Sequence, residues 1–175
     1  MNEMNGIGIC IKLINQKTGK TAEFIVNEHL QVAKRKGGYF WFSTSLHLSN
    51  RVKNLKQILL YFVGNNGQET VYRGNINYIL NNKQPFVPGD SNDKSSPLYS
   101  PFNKDIKNHI IEYSPESYAD VPACTWFFVN GLTQISLKEF NSLDLYTEQN
   151  RKLSEVINAK GRTSRAFYIE PKHSI

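Results

Sequence analysis

Polar and apolar positions alternate at the start of the chain. Ile7, Ile9, Ile11 and Leu13 share one side of a period-two pattern, which predicts a half-buried strand, and residues 15–19 read as the turn after it. Residues 21–26 are rich in apolar and β-branched side chains. Residues 7–26 therefore read as a hairpin, either an addition to a core or the first edge of a sheet. Asn27 is a candidate N-cap, and Lys34, Arg35 and Lys36 gather before Gly37, which predicts a short helix over residues 27–36. Cations at that end suit the helix dipole and need no ligand to explain them. Strands follow at 38–45, 57–63 and 69–80, the last two joined by Gly64-Asn65-Asn66-Gly67, where Asn-Gly is a strong hairpin signal.

The pattern breaks at residues 81–105. Pro85, Pro88, Gly89, Pro97 and Pro101 stand among Asn, Asp and Ser, so this stretch reads as a long loop, a feature often tied to function. Residues 106–113 and 123–129 read as strands, with Asn130-Gly131 as a turn. Ser136-Leu137-Lys138-Glu139 matches a capping box and predicts a helix start. Leu153, Val156 and Ile157 fall at helical spacing in a helix expected over 146–160 and closed by Gly161, before a final strand at 166–169. The expected class is α+β: a small antiparallel-rich β-barrel or strongly curved sheet with two or three flanking helices.

The 175 residues fit one domain. Aromatic residues make up 12%, which favours strands, and the net charge of +6 favours phosphate backbones as partners. Cys10 and Cys124 lie in apolar runs without metal-site or disulfide spacing and read as buried thiols. The N-terminus lacks a signal-peptide pattern, and no apolar run approaches the roughly 20 residues that cross a bilayer, so the expectation is a cytoplasmic protein with no membrane partner.

No nucleophile elbow, phosphate loop or dinucleotide fingerprint occurs, and His29, His47, His109 and His173 are scattered without metal-ligand spacing. No catalytic residue, metal or cofactor is expected. Glu69, Asp105, Glu112, Glu116 and Asp120 leave a carboxylate-dependent nuclease as an alternative, and the 81–105 loop leaves a protein-interaction or phage-type accessory module as another.

The chemistry that is present is aromatic. In Tyr39-Phe40-Trp41-Phe42, alternation puts Tyr39 and Trp41 on one face and Phe40 and Phe42 on the other. Phe40 and Phe42 are the expected core half. Trp41, with Ser43 and Ser45 on its face, is the candidate for stacking on a flat ligand and bonding its edge. Trp126-Phe127-Phe128 repeats the pattern, and Tyr72-Arg73-Gly74-Asn75 offers a ring, a guanidinium and an amide, a mixture suited to an unstacked base. Lys34, Arg35, Lys36, Arg51, Lys53 and Lys56, with Lys160, Arg162 and Arg165 near the C-terminus, are the candidate phosphate contacts.

Taken with the strand pair at 58–64 and 70–74 and with Phe167-Tyr168-Ile169, the order of these segments resembles, over a core of about residues 37–170, the PUA-like superfamily, which includes the EVE, ASCH and YTH groups. That resemblance implies a small β-barrel with flanking helices that binds RNA or modified DNA bases in an aromatic-lined pocket, with Trp41, Ser43 and Trp126 as its candidates and Tyr72, Arg73 and Asn75 as a further wall. The expectation is thus a non-catalytic nucleic-acid reader of a modified or unstacked base.

Overall fold

The computed structural model describes residues 7–48, 55–89, 104–146, 151–161 and 164–170. In chain order the elements are β1 (Gly8–Lys12), α1 (Ala22–Arg35), β2 (Tyr39–Thr44), β3 (Gln57–Val63), β4 (Glu69–Phe86), α2 (Lys104–Glu112), β5 (Ala123–Gln134), α3 (Leu137–Asn141), β6 (Asp144–Leu145), α4 (Leu153–Val156) and β7 (Ala166–Glu170), with a single 3-10 turn at Tyr118–Asp120. The class is α+β, as expected. The described strands form one mixed sheet in the order β2-β5-β4-β3-β1-β7-β6, which does not close into a barrel. β1 runs parallel to β3. β1 with β7, β2 with β5, β3 with β4 and β6 with β7 are antiparallel.

The described residues divide into two compact units. The first takes those up to 26, from 55 to 75 and from 132 onward; the second takes 27–48, 76–89 and 104–131. In the first unit, Cys10, Leu59, Tyr61, Val71, Phe167 and Ile169 from the sheet bury against Phe140, Leu143, Leu153, Val156 and Ile157 from the α3–α4 segment. The Tyr61 hydroxyl is accommodated by a chain of polar contacts. It donates to Glu69 Oε1 (2.7 Å) and accepts from Asn158 Nδ2 (2.5 Å), while Lys12 Nζ donates to Asn158 Oδ1 (2.7 Å). Burial, reinforced by Glu69, pushes the Tyr61 phenol well above its ordinary pKa. In the second unit, Trp41, Leu80, Phe86, Ile106, Ile110 and Trp126 form the core.

Several expected elements change. Residues 21–26 open α1 and form no hairpin strand. Thr21 Oγ1 accepts from Phe24 N (3.1 Å) and Asn15 Oδ1 from Ala22 N (3.0 Å), so the cap lies before Ala22 and Asn27 is inside the helix. Ala22, Ile25, Val26, His29, Val32 and Ala33 are buried, a helical period that the β-branched composition obscures. Residues 81–86 continue β4 through Pro85, which the strand tolerates one residue from its end. Residues 90–103 of the expected loop lie outside the described residues. Residues 106–113 belong mostly to helix α2, where Ile106 and Ile110, four apart, are buried and Ile111 is exposed. Asn130 and Gly131 are no turn; β5 runs through them, with Gly131 at φ 67°. Of the helix expected over 146–160, residues 147–150 lie outside the described residues, and among the rest the α-helical part is α4.

The capping box holds in half. Glu139 N donates to Ser136 Oγ (3.1 Å), but the Glu139 carboxylate bonds Arg73. Cys10 and Cys124 are buried free thiols, and burial pushes both thiol pKa values up. Phe140 is fully buried in the first-unit core. Phe140→Ala is expected to cost about 3–5 kcal/mol and Ser136→Ala about 1 kcal/mol, read as shifts in the urea midpoint at constant slope.

Candidate functional site

In the second unit, the aromatic strand β2 is covered on both faces. Phe40 and Phe42 lie 5.6 and 5.4 Å from the buried α1 residue His29. Tyr118 meets His29 edge-on at 5.0 Å and donates its hydroxyl proton to Glu28 Oε2 (2.8 Å). On the opposite face, Trp41 stacks on Phe128 (5.1 Å, 29°) and donates Nε1–H to His109 Nδ1 of α2 (2.9 Å). This bond makes Nδ1 the acceptor, so a neutral His109 carries its proton on Nε2. His109 in turn stacks on Tyr113 (4.6 Å). β2 ends the strand order, yet its outer edge is engaged, because Trp41 N donates to Tyr113 O (2.7 Å).

The antiparallel register pairs Ser43 with Trp126, Trp41 with Phe128 and Tyr39 with Asn130. Directly opposed residues share a face, so these six side chains form one ladder. Burial falls along it. Trp126 is 1% exposed and Trp41 3%, Phe128 is half-buried, and Tyr39 reaches 37% while stacking on Phe128 (5.4 Å, 26°). The ladder therefore surfaces at Tyr39.

The chain just before Tyr39 carries the charge. α1 ends with Gly38 N donating to Ala33 O (2.8 Å) across Gly37 at φ 65°, a left-handed helix stop that favours glycine. Lys34 and Arg35, in the last turn, are exposed and have no ion-pair partner among the described residues. Lys36 Nζ contacts Glu112 Oε1 (3.0 Å) and lies 5.4 Å from the centre of the Tyr113 ring. Beyond Tyr39, Gly131 N donates to Gly38 O (3.3 Å). Beside it, Asn77 Nδ2 donates to Asn130 Oδ1 (2.8 Å). A backed aromatic ring that follows a basic helix end in the chain and stands opposite an amide has the side-chain types that stack a flat base, hold its phosphate and bond its edge.

The expected site residues are not gathered as the sequence reading had them. Trp41 and Trp126 are buried core residues, and the Trp126 Nε1 proton has no acceptor among the described residues. Ser43 is half-buried and Ser45 exposed. Tyr72, Arg73 and Asn75 belong to the first unit, and strand alternation divides them. Arg73 and Asn75, opposite Leu59 and Gln57, share one face and Tyr72 takes the other. Arg73 is committed to Glu139. Among the other phosphate candidates, Lys56 and Lys160 are exposed and Arg165 is half-buried, while Arg51, Lys53 and Arg162 lie outside the described residues.

The carboxylates are dispersed. Glu69 serves Tyr61, Glu112 serves Lys36, and Asp120 pairs with Lys107 (2.9 Å). Among the described residues no group of three His, Cys, Asp or Glu side chains could hold a metal ion, and no helix is long and apolar enough to cross a membrane.

Sequence reasoning passed over Tyr39, Phe128, Asn77 and Asn130. For Tyr39 a signal existed: it is the aromatic residue that directly follows the basic run and a glycine pair. No protein-family model, curated protein or solved structure matches the chain.

Proposed function

We propose that the protein binds nucleic acid without catalysis, and that an unstacked base seats on Tyr39 while Lys34, Arg35 and Lys36 hold its phosphates. The observation that carries this reading is the aromatic ladder, buried at Trp126 and Trp41, that reaches solvent at Tyr39, a few residues after the exposed Lys34 and Arg35. Backing by Phe128 fixes the Tyr39 ring in advance, so stacking costs little side-chain entropy. The net charge of +6 favours the same ligand class. So does the resemblance to PUA-like proteins, and we read the α+β order as a variant of that fold with a strongly curved sheet. The base, modified or not, is taken at the ladder's open end instead of between the two tryptophans.

Tyr39→Ala is expected to weaken binding of a single-stranded oligonucleotide about tenfold, since stacking is worth about 1–3 kcal/mol per base. Its melting temperature should stay near that of the parent protein. Trp41→Ala should instead lower stability by about 3–5 kcal/mol, because it empties core volume and strands the His109 acceptor. Fluorescence anisotropy across a salt series reads the first, urea unfolding the second. Oligonucleotide binding unchanged in Tyr39→Ala, or binding insensitive to salt, would sink the proposal.

Glu112 gives a test with the opposite sign. Its carboxylate occupies Lys36 and repels phosphate, so Glu112→Gln is expected to tighten binding by about fivefold at low ionic strength, the order of one charge interaction in water. The gain should shrink as salt is raised. Weaker binding in this variant would place the phosphates away from Lys36.

A further inference from the structure

Tyr39 is one of two tyrosines whose rings meet Phe128. It stacks on that ring at 5.4 Å and 26°, whereas Tyr113 meets it edge to face at 5.7 Å and 84°. The two tyrosine centroids therefore lie no further apart than those two distances together. Their planes differ by at least 84° less 26°, that is 58°.

Tyr113 is built like a stacking platform. His109 backs its ring at 4.6 Å and 25°, and its carbonyl accepts from Trp41 N (2.7 Å), so ring and backbone are both held. The ring is half-buried, and the Lys36 ammonium lies over it, 5.4 Å from the centroid. Lys36 is itself partly exposed, so it marks a side of the ring that solvent reaches. Its backbone joins the other platform. Lys36 N donates to Val32 O (3.0 Å) and Ala33 O (3.1 Å) at the helix end, and Lys36 O accepts from Tyr39 N (3.2 Å). Among the cations that end α1, Lys36 is the one that the described contacts set against this aromatic cluster.

We infer that Tyr113 is a second stacking platform, and that the ligand is a single strand bent between two neighbouring bases, one on Tyr39 and one on Tyr113, with the linking phosphate on Lys36. The inference rests on the Tyr39 proposal. Bases seated on planes 58° or more apart cannot stay stacked on each other, so the strand is splayed there, which a paired duplex does not allow. Seating the second base moves the Lys36 ammonium off the Tyr113 ring and away from Glu112. That exchange is favourable, because a base–aromatic stack is worth more than a cation–π contact at an exposed site. The displaced ammonium stays tethered between the platforms by the Lys36 backbone, and the phosphate that links the two bases is the anion delivered there. Every base has a π-face, so the arrangement selects strand shape and not sequence.

The test titrates the full chain with a 5′-phosphorylated thymidine dinucleotide and with the same molecule carrying a stable abasic analogue in place of its 3′ nucleoside, followed by amide chemical shifts. Both ligands carry the same charge, so the ratio of their affinities reads the second base alone. The parent protein should prefer the two-base ligand by about tenfold, within the worth of one stacked base. Tyr113→Ala should bring the two within about twofold, the statistical advantage of offering two bases to one ring, and Tyr113→Phe should keep the full preference. Tyr113→Leu, which leaves apolar bulk against His109 but no aromatic face, should also lose it, so the result does not depend on how well the alanine variant folds. Weakening of both ligands by one factor in Tyr113→Ala and Tyr113→Leu, with the ratio unchanged, would mean a structural role and overturn the inference. Replacing the linking phosphate by an uncharged methylphosphonate should weaken binding about fivefold in the parent and less than about twofold in Lys36→Met, the order of one charge interaction in water. Equal weakening in the two proteins would overturn the place given to Lys36. Equal affinity of the parent for the two ligands, with Tyr39→Ala still weakening both, would overturn the second platform and leave the Tyr39 reading intact. Absence of salt-sensitive binding to either ligand would overturn both.

Discussion

The second unit depends on covering one aromatic strand from two sides. Phe40, Trp41 and Phe42 are consecutive, so alternation sends large rings to both faces of β2, and neither face can be left to water. His29 from α1 meets Phe40 and Phe42, and His109 from α2 meets Trp41. The covering is polar where it must be. An indole N–H buried without an acceptor costs on the order of 1–3 kcal/mol, and His109 Nδ1 removes that cost for Trp41. The same contact ties α2 to β2, and the carbonyl of Tyr113, just past that helix, bonds the outer backbone edge of β2 at Trp41.

A strand so enclosed can offer a ligand only its end. Tyr39 is the first residue of β2 and lies where the helix stop at Gly37 and Gly38 delivers the chain to the sheet. The stop therefore places α1's basic last turn next in sequence to the ladder's exposed ring. Structural and binding explanations of Lys34 and Arg35 do not compete here. Cations at a helix C-terminus are favoured by the dipole, and being exposed and without ion-pair partners among the described residues they stay available to an anion. Lys36 differs, since Glu112 already neutralises it.

The strands most legible in the sequence were those whose alternation or hairpin turn is local: β1, β2, β3 and the first part of β4. Where the reading failed, composition hid the period. The start of α1 carries Phe24, Ile25 and Val26, residues that favour strands by propensity, but its buried positions recur every three to four residues, and the caps that decide the matter come from Thr21 and from Asn15, seven residues before Ala22. α2 was lost for a similar reason, its Ile110 and Ile111 reading as strand until the burial of Ile106 and Ile110 sets a helical spacing. The division of the β2 aromatics into two faces was readable, but not that both would be buried, since that depends on helices distant in sequence. Arg73 likewise offers no local sign that Glu139 will occupy it.

Engagement of polar groups separates structural from available chemistry across the chain. In the first unit the Lys12, Asn158, Tyr61 and Glu69 groups bond one another in series, and Arg73 and Lys152 are each held by a carboxylate. A ligand recruiting any of them would have to break a contact made in a partly dehydrated setting, where the group left behind bears the loss. At the end of the β2–β5 ladder the balance is different. Asn77 and Asn130 use one bond between them and keep donors and a lone pair in hand, Tyr39 has Phe128 behind it, and the neighbouring cations are exposed. Binding there adds contacts without dismantling any but the Lys36–Glu112 pair, which is open to water and therefore weak.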